Sequence, residues 1–271
     1  NNIDLSVSTK FIEPSEVGDL EIFQYKIERL QEKFPDKILV GGYLEPRALY
    51  TTDKYGKSGN SGNENRTIHI GLDFWLPPKT PVHSIFDGEV VMATNDAGDK
   101  EYGGLVVLKH KAKDFNFYTL YGHNSVKSAT IHSVGDKIKK GDKISELGNY
   151  PENGNWPPHL HFQIMLSMMD FKIDFPGVMY FNQINIWKEI CPDPNLFFKS
   201  KSLDSTQEIS SHELINFRKK HLGESLKLHY NDPIRIVRGA GQYLMDNTGR
   251  LYLDTVNNVA HVGHENSFIV T

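Results

Sequence analysis

The ten residues TIHIGLDFWL, positions 67–76, decide how this chain is to be read. β-Branched, aromatic and other apolar side chains crowd a short run that stops at Pro77 and Pro78. Within it, His69 and Asp73 are four apart, which puts both on one face of a strand because strand side chains alternate. A helix would also align them, but Gly71 and the proline pair argue against one.

Similar short runs follow: GEVVMATN at 88–95, GLVVLKHK at 104–111, FNFYTLYGH at 115–123 and HLHFQIML at 159–166. Turn pairs such as Asp87-Gly88, Gly103-Gly104 and Gly135-Asp136 separate them. The pattern predicts a mostly β fold: an antiparallel β-sheet core with an open groove, a few flanking helices and a C-terminal β-hairpin.

On the N-terminal side, Leu20, Phe23, Ile27 and Leu30 recur at helical spacing within residues 15–34, predicting one amphipathic helix. The polar stretch TTDKYGKSGNSGNENR, 51–66, predicts a flexible loop and a boundary near residue 65. Beyond Pro176, INIWKEICPDPN (184–195) and SSHELINFRKKHL (210–222) predict short helices, and QYLMDNTGRLYLDT (242–255) a hairpin across Asn247-Thr248-Gly249. Sequence does not decide whether that hairpin docks on the core. Three parts result: an N-terminal segment 1–65, a core domain 66–200 and a tail 201–271.

Composition narrows the function. The chain has 271 residues and 38% hydrophobic content, enough for a proper core. Thirty Lys and Arg against 34 Asp and Glu give a formal charge of -4 with no long basic run, which argues against nucleic acid as a partner. No apolar run reaches the roughly 20 residues of a membrane helix. The one cysteine, Cys191, excludes intramolecular disulfides and a thiolate-rich zinc knuckle, so a metal would sit on His and carboxylates.

HLHF places His159 and His161 on one strand face, with Leu160 and Phe162 on the other. His69, Asp73 and a His of this pair would form a His2Asp set, which leaves a zinc position open for water. Zinc lowers the pKa of such a water to about 7. A hydrolytic site also needs a proton carrier, and the remaining His of the pair and His123, at the end of an apolar run, suit that role. Taken singly, each of these histidines is more often structural than functional. That bland reading is kept for His83, His110, His132, His212, His221 and His229. Spacing alone does not join the segments at 69 and 159.

The order of motifs does join them. HIGLD, TPVHSIFDGEVV, GGLVVLKH, YTLYGH, VGDKIKKGDKISELG and PHLHF resemble, in sequence, the M23 metallopeptidases, the lysostaphin-like and LytM-like enzymes that cut peptide bonds in bacterial cell walls. The resemblance implies one zinc held by His69, Asp73 and His161, with His123 and His159 as catalytic proton-transfer groups and a peptide or amide substrate. Two departures bear on the substrate: NYPENGNWPP (149–158) replaces the usual small-residue loop, and Gln163 stands where the family often has an acid.

From about residue 226 the chain resembles the opening of class III PLP-dependent aminotransferases, through GQYLMDNTGRLYLD and NNVAHVGH. The family's catalytic Lys would lie beyond Thr271, so PLP is not expected here. The resemblance implies covalent fusion to an aminotransferase, with a kinase-like module upstream, and favours a cytoplasmic setting over the periplasmic or extracellular one of a typical wall hydrolase. Two other readings remain: a metal-binding but non-hydrolytic scaffold or regulatory module, and an aminotransferase fragment alone.

Overall fold

The computed structural model describes residues 1–13, 16–50, 52–59, 62–203, 210–223, 226, 228, 230–255, 263–266 and 269. Its centre is an eight-stranded sheet ordered Asn2–Ile3, Leu39–Gly41, Leu72–Trp75, His159–Met165, Asn116–Asn124, Gly103–Lys111, Gly88–Asp96 and Lys137–Ile138. Only the first pair runs parallel; every other neighbour is antiparallel. The mostly β, antiparallel architecture expected from the sequence is present.

Strand 103–111 shows why these residues form the middle of the sheet. Alternate side chains leave a strand on opposite faces. Leu105 and Val107 join one apolar cluster with Ile68, Leu120, Met165 and Phe175, while Val106 and Leu108 join another with Ile138, Ile144, Phe162 and Ile164. Both faces are covered, so the run carries no polar alternation. His161 and Gln163 share a strand face with Met165 and therefore stand on the first side.

The segment before residue 66 builds onto the same sheet, because Leu39–Gly41 pairs with Leu72–Trp75. The predicted helix forms at Leu20–Lys33, five residues later than the pattern began, because Asp19 caps it by accepting from the Ile22 amide at 3.0 Å. Phe23 and Ile27 are its buried residues, and Phe23 meets Trp75 at a ring separation of 5.7 Å.

The stretch read as a loop at 51–66 instead contains a hairpin, Gly56–Gly59 against Gly62–Asn65. Strand pairing needs backbone groups, which this polar run has, and one apolar anchor suffices to seat it: Tyr55 is buried beside Tyr50, with the Arg66 guanidinium 4.9 Å over its ring. Composition registered the polarity and overlooked the anchor.

The expected helices appear at Ile184–Ile190 and Ser211–His221, the latter with a capping box from Ser210 and Glu213. The tail hairpin is part of a three-stranded sheet, Ile236–Ala240, Tyr243–Asp246 and Leu251–Leu253. It docks. Arg238 donates to the carbonyls of Thr9 and Ile12 at 2.6 and 3.2 Å and pairs with Glu13 and Glu265. Six of the eight residues of the NNVAHVGH motif, 257–262, lie outside the described residues. Among the described residues, no helix is long and apolar enough to cross a membrane.

Arg238 is therefore the clasp between the two ends of the described chain. Arg238→Ala leaves two backbone carbonyls, and the partly exposed carboxylates of Glu13 and Glu265, without their donor, for an expected loss of about 1–2 kcal/mol. Urea unfolding reads that loss, and proteolysis should cut the 230–255 region before the core.

Candidate functional site

Asp73 and His161 are directly opposite on neighbouring strands, and Gly122 is opposite His161 on the next. This register brings HIGLD, HLHF and the end of YTLYGH to one place. His69 arrives from a different pairing, since Ile68–His69 lies against Val178–Met179. Gly71, between the two ligand-type residues, lets the chain pass close to the site. A β-carbon there would stand 2.6 Å from the His161 ring.

His123 occupies a break in the ladder. Pairing between strands 116–124 and 103–111 shifts register between Tyr121 and Asn124, and His123 itself adopts φ +63°. Such bulges re-aim a side chain next to functional sites. The His123 ring consequently turns toward His159, with 4.3 Å between centroids.

Three potential ligand atoms converge. His69 Nε2 is 3.0 Å from His161 Nδ1 and 3.2 Å from Asp73 Oδ1, and His161 Nδ1 is 3.0 Å from the same oxygen. All three side chains are buried. The proton positions follow from the outer partners. His69 Nδ1–H donates to the Gly42 carbonyl at 2.9 Å. His161 Nε2–H donates to Gln163 Oε1 at 3.0 Å, and that amide is oriented by its own Nε2 donating to the Pro176 carbonyl and Cys191 Sγ. With the outer nitrogens donating, the inner nitrogens of the two rings and one carboxylate oxygen converge on one point.

A cation among the three atoms would satisfy all of them at once. Tetrahedral ligands about 2.0–2.1 Å from zinc stand roughly 3.3 Å apart, and the separations here are 3.0–3.2 Å. The donor set suits a small divalent metal, and each imidazole has the outer hydrogen bond that fixes a ligating tautomer.

The other two histidines follow the same rule. His123 Nδ1–H donates to the Asn153 carbonyl at 2.9 Å and His159 Nδ1–H to the Pro157 carbonyl at 2.7 Å. Both carbonyls belong to the 149–158 loop, so that loop orients both rings. His159 Nε2 lies 3.8 Å from Asp73 Oδ1, and its ring stacks on Trp75 at 4.4 Å.

Burial keeps the rings of His69, His123 and His159 neutral. It lowers His69 to about 4, helped by the Arg47 charge, and lowers His159 to about 4 against the pull of Asp73. His123 falls well below its ordinary value through burial and the neighbouring His159 and His161. Burial opposes the Asp73 charge, yet His69, Arg47 and His159 together hold its carboxyl well below the usual range.

Sequence reading missed four residues. Arg47 sends Nη1 to Asp73 Oδ2 at 2.5 Å and Nε to Glu45 Oε2 at 2.6 Å. Trp75, Tyr102 and Trp156 wall a cleft of about 400 Å³ that opens onto the histidines. Only Trp75 had a usable signal, since it alternates in phase with Asp73. His83 and His110, read as structural, bond backbone carbonyls away from the cluster.

Residues 67–172 match the model of Peptidase family M23. A 64-residue stretch is 48% identical to an alanine--glyoxylate aminotransferase 2-like protein of Drosophila melanogaster, covering 23% of this chain and 13% of that one. A 56-residue stretch is 38% identical to an ethanolamine-phosphate phospho-lyase homolog of Caenorhabditis elegans, covering 20% and 12%. The chain thus spans about an eighth of the length of these relatives. Among solved structures, the catalytic domain of lysostaphin from Staphylococcus simulans is 24% identical, with a TM-score of 0.37 and coverage of 62% of this chain and 97% of that one.

The depressed histidines set a pH dependence for the metal-free protein. The unfolded chain takes up protons near pH 6.5, whereas folded His69 and His159 do so near 4. Their contribution to stability is complete above pH 6.5 and is lost as pH falls toward 4. Thermal melts of metal-free protein should show a midpoint that drops steeply across that window, and a flat profile would contradict the assignment.

Proposed function

We propose that this M23-type peptidase module is a zinc-dependent hydrolase of peptide or amide bonds. His69 Nε2, Asp73 Oδ1 and His161 Nδ1 would hold one zinc per chain, and His123 and His159 would carry protons. The observation behind this reading is the convergence of His69 Nε2, Asp73 Oδ1 and His161 Nδ1 within about 3.2 Å, with the outer nitrogen of each ring placed against its own acceptor.

Bound zinc supplies Lewis acidity, which polarises a scissile carbonyl and makes water nucleophilic near neutral pH. The chain's own groups do the rest. Nε2 of His123 and Nε2 of His159 are unprotonated at neutral pH and stand on one side of the cluster, so either accepts a proton from attacking water. The same nitrogen then returns it to the departing amine. Held by backbone carbonyls at Nδ1, neither ring can rotate away without breaking a buried hydrogen bond. Arg47 fixes Asp73 through Oδ2, leaving Oδ1 for the metal.

Gln163 adjusts the ligand rather than the proton carriers. A neutral amide accepting from His161 Nε2–H draws less charge onto the ring than a carboxylate would. His161 is therefore a weaker donor than in relatives with an acid there, and the zinc more electrophilic.

The partial matches to aminotransferases support a place for this module in a longer multi-enzyme chain, covalently joined to an aminotransferase.

Elemental analysis should find one zinc per chain, and His69→Ala should remove it. His159→Ala and His123→Ala should keep zinc while lowering kcat on peptide substrates by about 10²–10⁴-fold. Unchanged turnover in chelator-stripped protein contradicts the reading. Tight zinc without turnover over a broad peptide and amide panel would make the module a non-hydrolytic scaffold.

A further inference from the structure

The backbone carbonyls of Asn153 and Pro157 face Nδ1 of His123 and of His159. A carbonyl oxygen only accepts, so each contact exists only with the ring hydrogen on Nδ1. That leaves Nε2 as the basic nitrogen of both rings, since the bond made by one ring nitrogen sets the state of the other. Whatever fixes the short stretch from 153 to 157 therefore fixes both rings.

The turn inside that stretch is sharp, because Gly154 and Asn155 both take positive φ, +83° and +61°. The Asn153 side chain closes it. This residue is fully buried, its Nδ2 donates to the Trp156 carbonyl at 2.8 Å, and its Oδ1 accepts from the Trp156 amide at 3.4 Å. Both backbone groups of Trp156 are thereby tied to residue 153. Beyond Trp156 the chain is stiff: Pro157 and Pro158 hold φ near about −65°, and each restricts the residue before it. The tie at Trp156 is passed on to the Pro157 carbonyl. Two further side-chain bonds of the loop lie at the surface, where Glu152 accepts from the Val126 amide at 3.1 Å and Asn155 donates to Asp99 at 2.8 Å.

We propose that Asn153 is a positioning residue for both proton carriers. Through Trp156 its amide aims the carbonyls of residues 153 and 157, and so keeps His123 and His159 in the Nδ1–H form with Nε2 free to take a proton. The carbonyl of residue 153 survives any substitution there, so the side chain acts only by orienting the loop. The catalytic task of the two rings rests on the zinc-hydrolase reading; their tautomers do not.

Long-range proton–nitrogen spectra of protein carrying isotopically labelled histidine show which nitrogen of each ring bears the hydrogen. His123→Gln and His159→Gln assign the two signals. In wild-type protein near neutral pH, metal-free and zinc-loaded, both rings should show the Nδ1–H form. Asn153→Ala should turn each into a mixture of the two forms, whereas Asp99→Ala, which removes the surface bond to Asn155, should leave both unchanged. Asn153→Asp keeps the shape and the acceptor but loses the donor, and serves the same comparison should the Ala variant fail to fold. An Nε2–H form in the wild type, or unchanged tautomers in the Asn153 variants, overturns the proposal. So does an equal change in Asp99→Ala, which would make general firmness of the loop the cause. On peptides that the wild type cleaves, Asn153→Ala should lose kcat about 10–100-fold at nearly constant KM, because the rings and not the substrate are misaimed. Wild-type protein that binds no zinc and cleaves nothing fails the hydrolase reading and leaves the tautomer comparison standing.

Discussion

The site depends on one cross-strand pairing, Asp73 opposite His161. A slip of one residue by strand 159–165 against strand 72–75 would turn His159 and His161 to the face away from Asp73. Packing prevents it: Phe162 and Ile164 are buried in the opposite cluster, and Leu72 is buried as well. The chemistry is thus registered by apolar side chains that touch none of the ligands.

Around that pairing the protein has arranged a scarcity of protons. Each of the four histidines gives its one ring hydrogen to an outer acceptor, three to backbone carbonyls and one to Gln163. Burial then makes a second proton unfavourable on His69, His123 and His159. Asp73 stays ionised because Arg47 and the imidazoles outweigh its desolvation. A cluster of polar atoms held in place by its surroundings is what the proposed metal would need, and in that reading His123 and His159 are left as the bases.

How much of this was legible in the sequence divides by distance along the chain. Period-two spacing placed His69 with Asp73 and His159 with His161, because a strand fixes faces over a few residues. Joining those pairs, and adding His123, required the order of motifs, since His123 reaches the site through a bulge that no alternation pattern encodes. Arg47 was invisible. It lies 26 residues before Asp73 in a stretch without periodicity, and its role exists only once strand 39–41 joins the sheet. The hairpin within 56–65 was hidden differently, because its pairing is made by backbone groups common to every residue and composition reports only side chains.

The outermost members of the large sheet are two residues long at each end, Asn2–Ile3 and Lys137–Ile138. An open sheet eight strands wide would ordinarily present long rows of unpaired amides and carbonyls to solution. Here the outermost strand at each border offers too few to template another chain, and Lys137 adds a charge to one of them. A molecule that keeps its wide sheet soluble in this way can afford an apolar middle such as GLVVLKHK without inviting edge-to-edge aggregation.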